Sequence, residues 1–561
     1  MGKFLNYLTD QYHADIILYG YGSVRPRLSA LFAERAFSFR KVPEFRKTNS
    51  FPFRVMPSVK DELAALLAPH GQEHLLTFWD ELSPENRCVF ADEIRALNLT
   101  RIEELYARRG EPAEAAALAD RAEEPTAFHL SDLHERADRP PYPGCALDPY
   151  EAIQRGEEAL RAGKLAAAVV AGGQGTRLDF PHAKGIYPIG PVSGVTLFQI
   201  HVERIRATAR KYRTRIPFCI QTSPATHEET IAFFKENKNF GLPDEDVLIF
   251  CQETVPSVGY DDCKVLLAEK GKIARSPDGH GGFLAAINRP QADSPFEEVR
   301  RTGTLAELRR RGIEELFYFQ IDNPVIDICS PEFIGYHLMA RSEYSSQVVR
   351  KTSPKDRVGN MVMVDGSLHV IEYSDIPDAA AERRKPDGSL AIWAGSIAVS
   401  LMNVDFLKAK ADYAGSLPYH IAKKKVPYVV VDRQARSETG EPLFGTKVKP
   451  DAPNAVKFEK YIFDLLPQAK NPIVVEIDEK TGFAPLKNHP REPKDNPQMV
   501  RRMLLDLYRL WLRNLGYTIA DDVDVEISPL FANSASELKE RLDAMGRSPD
   551  DGPITESGYW R

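Results

Sequence analysis

The sequence predicts an α/β protein whose centre is a mixed, mostly parallel sheet, with a helical region before it and a small α+β part after it. Three observations carry that prediction. Short apolar runs alternate with amphipathic helical patterns from residue 165 onward, as a parallel sheet covered by helices requires. One of those runs leaves through three glycines in four residues, Gly172, Gly173 and Gly175. At 561 residues the chain exceeds what one hydrophobic core usually serves, so more than one domain is expected.

In chain order, residues 1–55 come first, with nine Lys or Arg against four Asp or Glu and little regular period. They are expected to be an annex to the fold, disordered or added by a start codon set too far upstream; an Arg-rich targeting arm is the other reading. Residues 56–150 read as a helical domain. Leu75, Leu76, Trp79 and Leu82 fall at helical spacing, Ser83 caps a helix with Pro84 at its first position, and Thr100 with Glu103 reads as a capping box. The stretch RADRPPYPGCALDPY, 136–150, reads as a boundary. A central α/β domain then spans 151–490, with strands expected at 165–171, 216–222, 246–252, 316–322, 345–351, 426–432 and 471–478. The last segment, 491–561, holds an amphipathic helix, MVRRMLLDLYRLWLRNLG, and a short strand, VDVEI.

The glycine turn is where chemistry enters. In VVAGGQGTRLDFPHAKG, 169–185, a buried strand opens straight into glycines, and Arg177 and Lys184 follow seven apart. At the carboxyl edge of a parallel sheet, glycines leave peptide N–H groups open to a nucleotide and its phosphates. The dinucleotide fingerprint GxGxxG opens a helix directly; here TR and PHAKG intervene, so no helix is expected at once. The two cations are of the kind that meets polyphosphate oxygens. A plain tight turn with two solvated cations is the alternative.

Composition narrows the field. A net charge of −7 gives no global basic field for nucleic acid or an anionic membrane. No apolar run reaches the length of a membrane span and no signal-like head opens the chain, so a cytoplasmic protein is expected. The six cysteines, Cys88, Cys145, Cys219, Cys251, Cys263 and Cys329, show no CxxC spacing and are expected to be buried free thiols. None of the thirteen histidines shows ligand spacing.

The stretch AGGQGTRLDFPHAKG resembles the nucleotide-binding signature of sugar-phosphate nucleotidyltransferases, in particular the eukaryotic-type UDP-N-acetylglucosamine pyrophosphorylases and UDP-sugar pyrophosphorylases. Further blocks carry the likeness in order from about residue 71 to 530: GQEHLLTFWDEL, FGLPDEDVLIFCQ, SPDGHGG, DNPVIDICSPEFIG, VVRKTSPKDRVG, VIEYSDI, WAGSIAV, NAVKFEKYIFD, FAPLKN and EISPL.

The resemblance implies a Rossmann-like nucleotidyltransferase domain that moves the uridylyl group of UTP onto a sugar 1-phosphate, with Mg²⁺ as cofactor and as a monomer or weak homo-oligomer. It implies that Val170, Ala171, Gly172 and Gly173 hold the uridine part, with Gln252 and Gly279 near the base. Arg177, Lys184 and Lys487 would act on the phosphates, Lys457 would bind them from the other side, and Asp322 would hold the metal. Glu372 and Tyr373 would contact the sugar, as would His280 and Ser396. The chemistry is consistent with these residue types. The attacking phosphate is already ionised near pH 7, so in-line displacement needs orientation and charge neutralisation rather than a general base. Without the resemblance, Asp322 also reads as a strand-end acid capping a turn, and the lysines and Glu372 as solvated surface.

Two positions depart from the N-acetylglucosamine pattern. His280 stands where GNGG carries asparagine, and Trp393-Ala394-Gly395-Ser396 replaces NAGN. Overall block similarity favours N-acetylglucosamine 1-phosphate, and His280 with Ser396 favours glucose or galactose 1-phosphate; both departures also read as packing substitutions. A nucleotide-binding regulatory protein without turnover is the remaining alternative.

Overall fold

The computed structural model describes residues 58–110, 114–130, 149–413, 417–437 and 439–561. The expected annex at 1–55 and most of the Pro-rich boundary lie outside the described residues. Nine strands form the main sheet: β1 Leu165–Val170, β2 Phe218–Thr222, β3 Val247–Cys251, β4 Glu315–Gln320, β5 Tyr344–Arg350, β6 Gly359–Val364, β7 Ser367–Ile371, β8 Ala394–Asn403 and β9 Ile473–Glu476. Their order is β7-β6-β8-β4-β1-β2-β3, with β5 pairing β8 and β9. The half from β4 to β3 is parallel throughout, with Ala167 opposite Phe218 and Leu165 opposite Glu315. The other half is mixed: β8 runs antiparallel to β4, β5 and β6, and β9 runs parallel to β5.

β1 shows why this chain makes a two-faced sheet. Its residues are Leu, Ala and Val only, and all but Val170 are buried, the composition of a strand covered on both faces. Leu165, Ala167 and Val169 pack into one core with the helices Leu197–Tyr212, Pro331–Met339 and Pro497–Asn514. Ala166 and Ala168 pack into the opposite core with Gly282–Asn288, Thr304–Arg310 and Val404–Ala411. The amphipathic helix starts and ends two residues before its pattern, and it places Val500, Leu504, Leu507 and Leu512 in the sheet's own core.

A third core joins the N-terminal helices Val59–Leu67, Pro84–Arg95 and Leu99–Ala107 to a separate three-stranded sheet of His420–Lys424, Ala455–Glu459 and Val258–Gly259. Ser83 caps its helix as expected, accepting from the Asn86 N–H at 3.3 Å. The Thr100–Glu103 box does not form. The helix starts two residues earlier, Asn98 accepts from the Arg101 N–H at 3.0 Å, and Glu103 pairs instead with His70 at 3.0 Å. A capping box does form at Ser58 with Asp61.

Other expectations are corrected by register. The run at 426–432 yields only Tyr428–Val429, paired with Lys447–Val448. The hairpin β6–β7 turns through Asp365 and Gly366, both at positive φ (50° and 81°), the Asp-Gly turn that suits two twisted strands. The five described cysteines are free, but not uniformly buried. Cys219 and Cys329 are buried, Cys251 and Cys263 half-buried, and Cys88 exposed; Cys145 lies outside the described residues.

Candidate active site

After β1 the chain crosses the carboxyl edge of the parallel strands, where ligands of open α/β sheets sit. The three glycines there serve different ends. A Cβ on Gly172 would stand 3.2 Å from the Ser223 nitrogen, and one on Gly175 would stand 2.8 Å from the Phe180 carbonyl oxygen. Both are glycine because protein packs against them. A Cβ on Gly173 would meet no protein atom within 4 Å, so Gly173 keeps the open approach. Behind it, the Gly172 carbonyl accepts from Ser223 Oγ at 2.6 Å, and the Gln221 side-chain amide donates to Gln252 Oε1.

The segment after the glycines folds back on them instead of starting a helix. The Lys184 N–H donates to the Gly173 carbonyl at 3.0 Å and the Gly175 N–H to the His182 carbonyl at 2.8 Å. Glu229 fixes the return by accepting from the Ala183 N–H at 2.7 Å and pairing with His182 at 2.6 Å. Two single 3₁₀ turns, Thr176–Leu178 and Lys184–Ile186, hold Arg177 and Lys184 at the edge.

A cavity of about 550 Å³ opens over this edge. On its wall, just past the end of β4, lies Asp322, whose Oδ2 accepts from Lys184 Nζ at 3.0 Å. Lys487 arrives from a segment stitched to the same turn. The Leu486 N–H donates to the Asp322 carbonyl at 2.9 Å, and Asn323 takes the Ala484 N–H and gives to the Gly482 carbonyl, both at 2.9 Å. Burial alone would push the Asp322 carboxyl up; Lys184 and Lys487 outweigh it and hold the group below its ordinary value. Asp322 is therefore a carboxylate with two ammonium groups beside it.

The donor set suits a hard divalent ion of one kind. Among the described residues no cluster of three or more His, Cys, Asp or Glu stands ready as a cage. Asp322 is one carboxylate, and Asp495 lines the same cavity. Mg²⁺ is commonly held by one or two carboxylates with substrate phosphates completing its shell, so these residues fit Mg²⁺ brought in with a polyphosphate.

The opposite wall comes from the mixed half of the sheet. Between the pairs Gln347–Val399 and Val348–Ser396 the register of β5 against β8 shifts, and Ile397 and Ala398 bulge. Ala398 takes φ 56°, a conformation that costs an L-residue about 1–2 kcal/mol. Bulges of this sort re-aim side chains beside active sites, and Ser396, Ile397 and Ala398 all line the cavity. Just past β7, Glu372 and the exposed Tyr373 line it too. Burial, with Asp375 adding, pushes the Glu372 carboxyl up to about 7 against the pull of Lys487 and His420.

His280 is placed by the SPDGHGG loop. Gly279 takes φ 81°, and a Cβ on it would stand 2.3 Å from the Lys460 carbonyl oxygen. The Lys460 N–H donates to the Asp278 carbonyl at 2.7 Å and the Gly281 N–H to the Lys460 carbonyl at 2.8 Å. His280 Nδ1 accepts from the Ile462 N–H at 3.2 Å, which leaves the ring proton on Nε2. Burial, with His420 adding, pulls its pKa down to about 4, so the ring is a neutral donor at the cavity wall. Trp393 is not part of that wall. It is 1% exposed and packs between Arg350, 4.4 Å from its ring, and the His129 ring at 5.0 Å.

Of the residues singled out in the sequence, Gly173, Arg177, Lys184, His280, Asp322 and Lys487 meet at this one cavity, with Glu372, Tyr373 and Ser396. Val170, Ala171, Gly172, Gln252 and Gly279 do not line it; Gln252 lies behind Gly172, which a Cβ there would approach within 3.3 Å of Nε2. Lys457 sits on Ala455–Glu459 of the separate three-stranded sheet and is not among the lining residues. Sequence reading passed over Arg357, Asn488 and Asp495, which do line it. Asp495 is the pivot: at φ 54°, its carbonyl accepts the N–H groups of Lys487 and Asn488 at 2.9 and 3.0 Å. Nothing in its local sequence signals that.

An open glycine edge beside parallel strands, with two lysines converging on one buried aspartate, defines a nucleotide- and phosphate-handling α/β protein. Residues 131–436 match the family described as UTP–glucose-1-phosphate uridylyltransferase. The chain is 34% identical over 467 residues to UDP-N-acetylhexosamine pyrophosphorylase-like protein 1 of Xenopus tropicalis, covering 81% of this chain and 84% of that one. It is 34% identical over 393 residues to UDP-N-acetylglucosamine pyrophosphorylase of Saccharomyces cerevisiae, 69% and 77% of the two chains. Its fold matches the crystal structure of uridine diphosphate N-acetylglucosamine pyrophosphorylase from Trypanosoma brucei, with a TM-score of 0.70 at 24% identity over 91% of this chain and 99% of that one. The chain belongs to the UTP–glucose-1-phosphate uridylyltransferase family.

Proposed function

We propose that this chain transfers the uridylyl group of UTP to the phosphate of N-acetylglucosamine 1-phosphate, forming UDP-N-acetylglucosamine and releasing pyrophosphate. The observation that carries the reading is that one cavity has two unlike walls meeting at Asp322: glycine edge and cations on one side, bulge and neutral donors on the other. The relatives' names supply the sugar.

In this reading a phosphate oxygen of the sugar 1-phosphate attacks the α-phosphorus of UTP, and the bond from that phosphorus to the bridging oxygen breaks. The Gly173 edge receives the nucleotide, and Lys184 and Lys487 hold the two phosphate groups in line across Asp322. Arg177, exposed at the rim, meets the charge that builds on the departing pyrophosphate. Mg²⁺ on Asp322, when bound, would supply charge neutralisation to the phosphate oxygens. His280 presents Nε2–H to the sugar side, a donor that an acetamido carbonyl can accept, and it thereby takes over one of the two capacities of an asparagine amide.

Pyrophosphate release with UTP, Mg²⁺ and a panel of sugar 1-phosphates tests both parts. The expected result is the highest kcat/KM with N-acetylglucosamine 1-phosphate. An equal or higher value with glucose or galactose 1-phosphate overturns the sugar assignment. UTP binding without pyrophosphate release from any sugar overturns transfer and supports a regulatory protein.

A further inference from the structure

A second, smaller cavity of about 260 Å³ adjoins the first, and the two share Arg357, Val358, Phe483, Lys487, Asn488 and Asp495 as a common wall. Its size falls below the 300–1,000 Å³ usual for drug-sized ligands, which suits a small ion better than a nucleotide or a sugar nucleotide. Its lining is cationic: Arg350, Lys351, Lys355, Arg357, Lys487 and Lys494 face it. Arg350 is engaged with Glu476 at 3.0 Å. The other five make no direct salt bridge among the described residues, although Lys487 stands near Asp322 and, with Lys494 and Arg357, near Asp495.

Lys351 is the most telling of them. It is 6% exposed, and its ammonium bonds only to the amide oxygen of Asn360. A buried ammonium without a carboxylate is costly, and burial pulls its pKa down with Asp356 opposing. Four acids, Asp356, Glu479, Glu492 and Asp495, face six cations in the lining. Asp356 is committed to the Thr352 and Ser353 N–H groups at 2.8 and 2.9 Å. Burial pushes the carboxyls of Glu479 and Asp495 up, Asp356 adding to the first and Lys487 opposing in the second; Glu492 completes the set. Met499, in the first turn of the 18-residue helix Pro497–Asn514, also lines the cavity, so the positive end of that helix lies beside it.

We propose that this cavity is a second pyrophosphate site, which receives the leaving group after it parts from the nucleotide cradle; the transfer step rests on the function proposed above, the site itself on its own lining. Lys487 and Arg357 belong to both cavities, so a polyanion passing between them keeps cationic contact throughout.

The test uses the full chain saturated with a UTP analogue whose α–β bridge is an imido group, so that the first cavity is filled and cannot turn over. Pyrophosphate titrated by calorimetry is expected to bind one further equivalent, at least tenfold tighter than orthophosphate. In the double variant Lys355→Glu, Lys494→Glu, both positions exposed and outside the first cavity, that binding is expected to weaken at least tenfold. Initial rates without added pyrophosphate are expected to stay within twofold, and product inhibition by pyrophosphate to weaken. Absence of the extra equivalent, an unchanged affinity in the double variant, or orthophosphate binding as tightly would each overturn the proposal. If the analogue itself fails to bind, the nucleotide reading falls separately, and the same variant comparison with pyrophosphate alone decides the second site.

Discussion

The two walls of the cavity are made in opposite ways. The cradle wall comes from one continuous stretch, Gly173 to Lys184, draped over parallel strands and pinned by its own backbone bonds. The facing wall collects His280, Glu372, Ser396 and Phe463 from strands and loops that lie far apart in the chain. On the first wall a small number of local residues fix both the shape and the charge. On the second, shape is a consequence of register: one bulge in β8 and one stitched loop decide which side chains face the ligand. In the function proposed above, chemistry common to all nucleotidyl transfers belongs on the first wall, and discrimination between sugars on the second.

The largest expected effect falls where the walls meet. Asp322→Ala and Lys184→Ala should each lower turnover by about a hundredfold or more, as removal of one preorganised charge at a reacting phosphate does, with circular dichroism unchanged. Near-normal rates in either variant would remove the common point on which both walls converge.

A pair of valine substitutions then separates the walls. Gly173 has open space at its Cβ position and an ordinary φ, so Gly173→Val should fold normally and raise KM for UTP about tenfold, leaving the sugar 1-phosphate KM within twofold. Ala398→Val puts a β-branched residue at φ 56° on the other wall. It should raise the sugar 1-phosphate KM about tenfold, leave the UTP KM nearly unchanged, and lower stability, because a β-branched side chain tolerates that backbone conformation less well than alanine does. Crossed results, with Gly173→Val acting on the sugar or Ala398→Val on UTP, would break the division.

The same division explains what was legible in the sequence. The cradle is local, so its glycines, its cations and the absence of a following helix could all be read from one stretch. Asp322 was readable as the end of an apolar strand. The bulge at Ile397 and Ala398 was not, because it exists only as an offset between β5 and β8, and no residue in WAGSIAV announces it. The β6–β7 hairpin is a different case: Asp365-Gly366 is a strong turn signal that was there to be read. Asp495 was missed because backbone stitching brings it to the cavity. Lys457, named through the family likeness, lies on the small sheet and is not among the lining residues.

A smaller effect should come from Glu372. With its carboxyl pushed up from 4.5 to about 7, it is largely protonated at pH 6 and can donate to the sugar. By pH 8 it is a carboxylate facing an incoming anion. The KM for sugar 1-phosphate should therefore rise a few-fold from pH 6 to 8 relative to Glu372→Gln, which cancels the substrate's own titration. Stability follows the same sign. The folded state holds this proton more tightly than the unfolded chain, so ionisation costs stability progressively between pH 4.5 and about 7, by at most about 3 kcal/mol. Glu372→Gln should thus gain stability over the parent at pH 8 and lose that advantage near pH 4.5. A pH-independent difference would mean that the carboxyl does not titrate in this range.

The smallest expected kinetic effect is at Trp393, and it is informative for that reason. In the sequence, tryptophan in place of the first asparagine of NAGN reads either as a change to the sugar pocket or as a packing substitution. In the structure its ring is buried against Arg350 and His129 and does not reach the cavity. Trp393→Phe should then lower stability by about 1–2 kcal/mol through lost packing while leaving the ratio of kcat/KM for N-acetylglucosamine 1-phosphate over glucose 1-phosphate within twofold. A change in that ratio beyond fivefold would make Trp393 part of the sugar wall. Selectivity would then come from bulk behind β8 as well as from the donors of His280 and Ser396 in front of it.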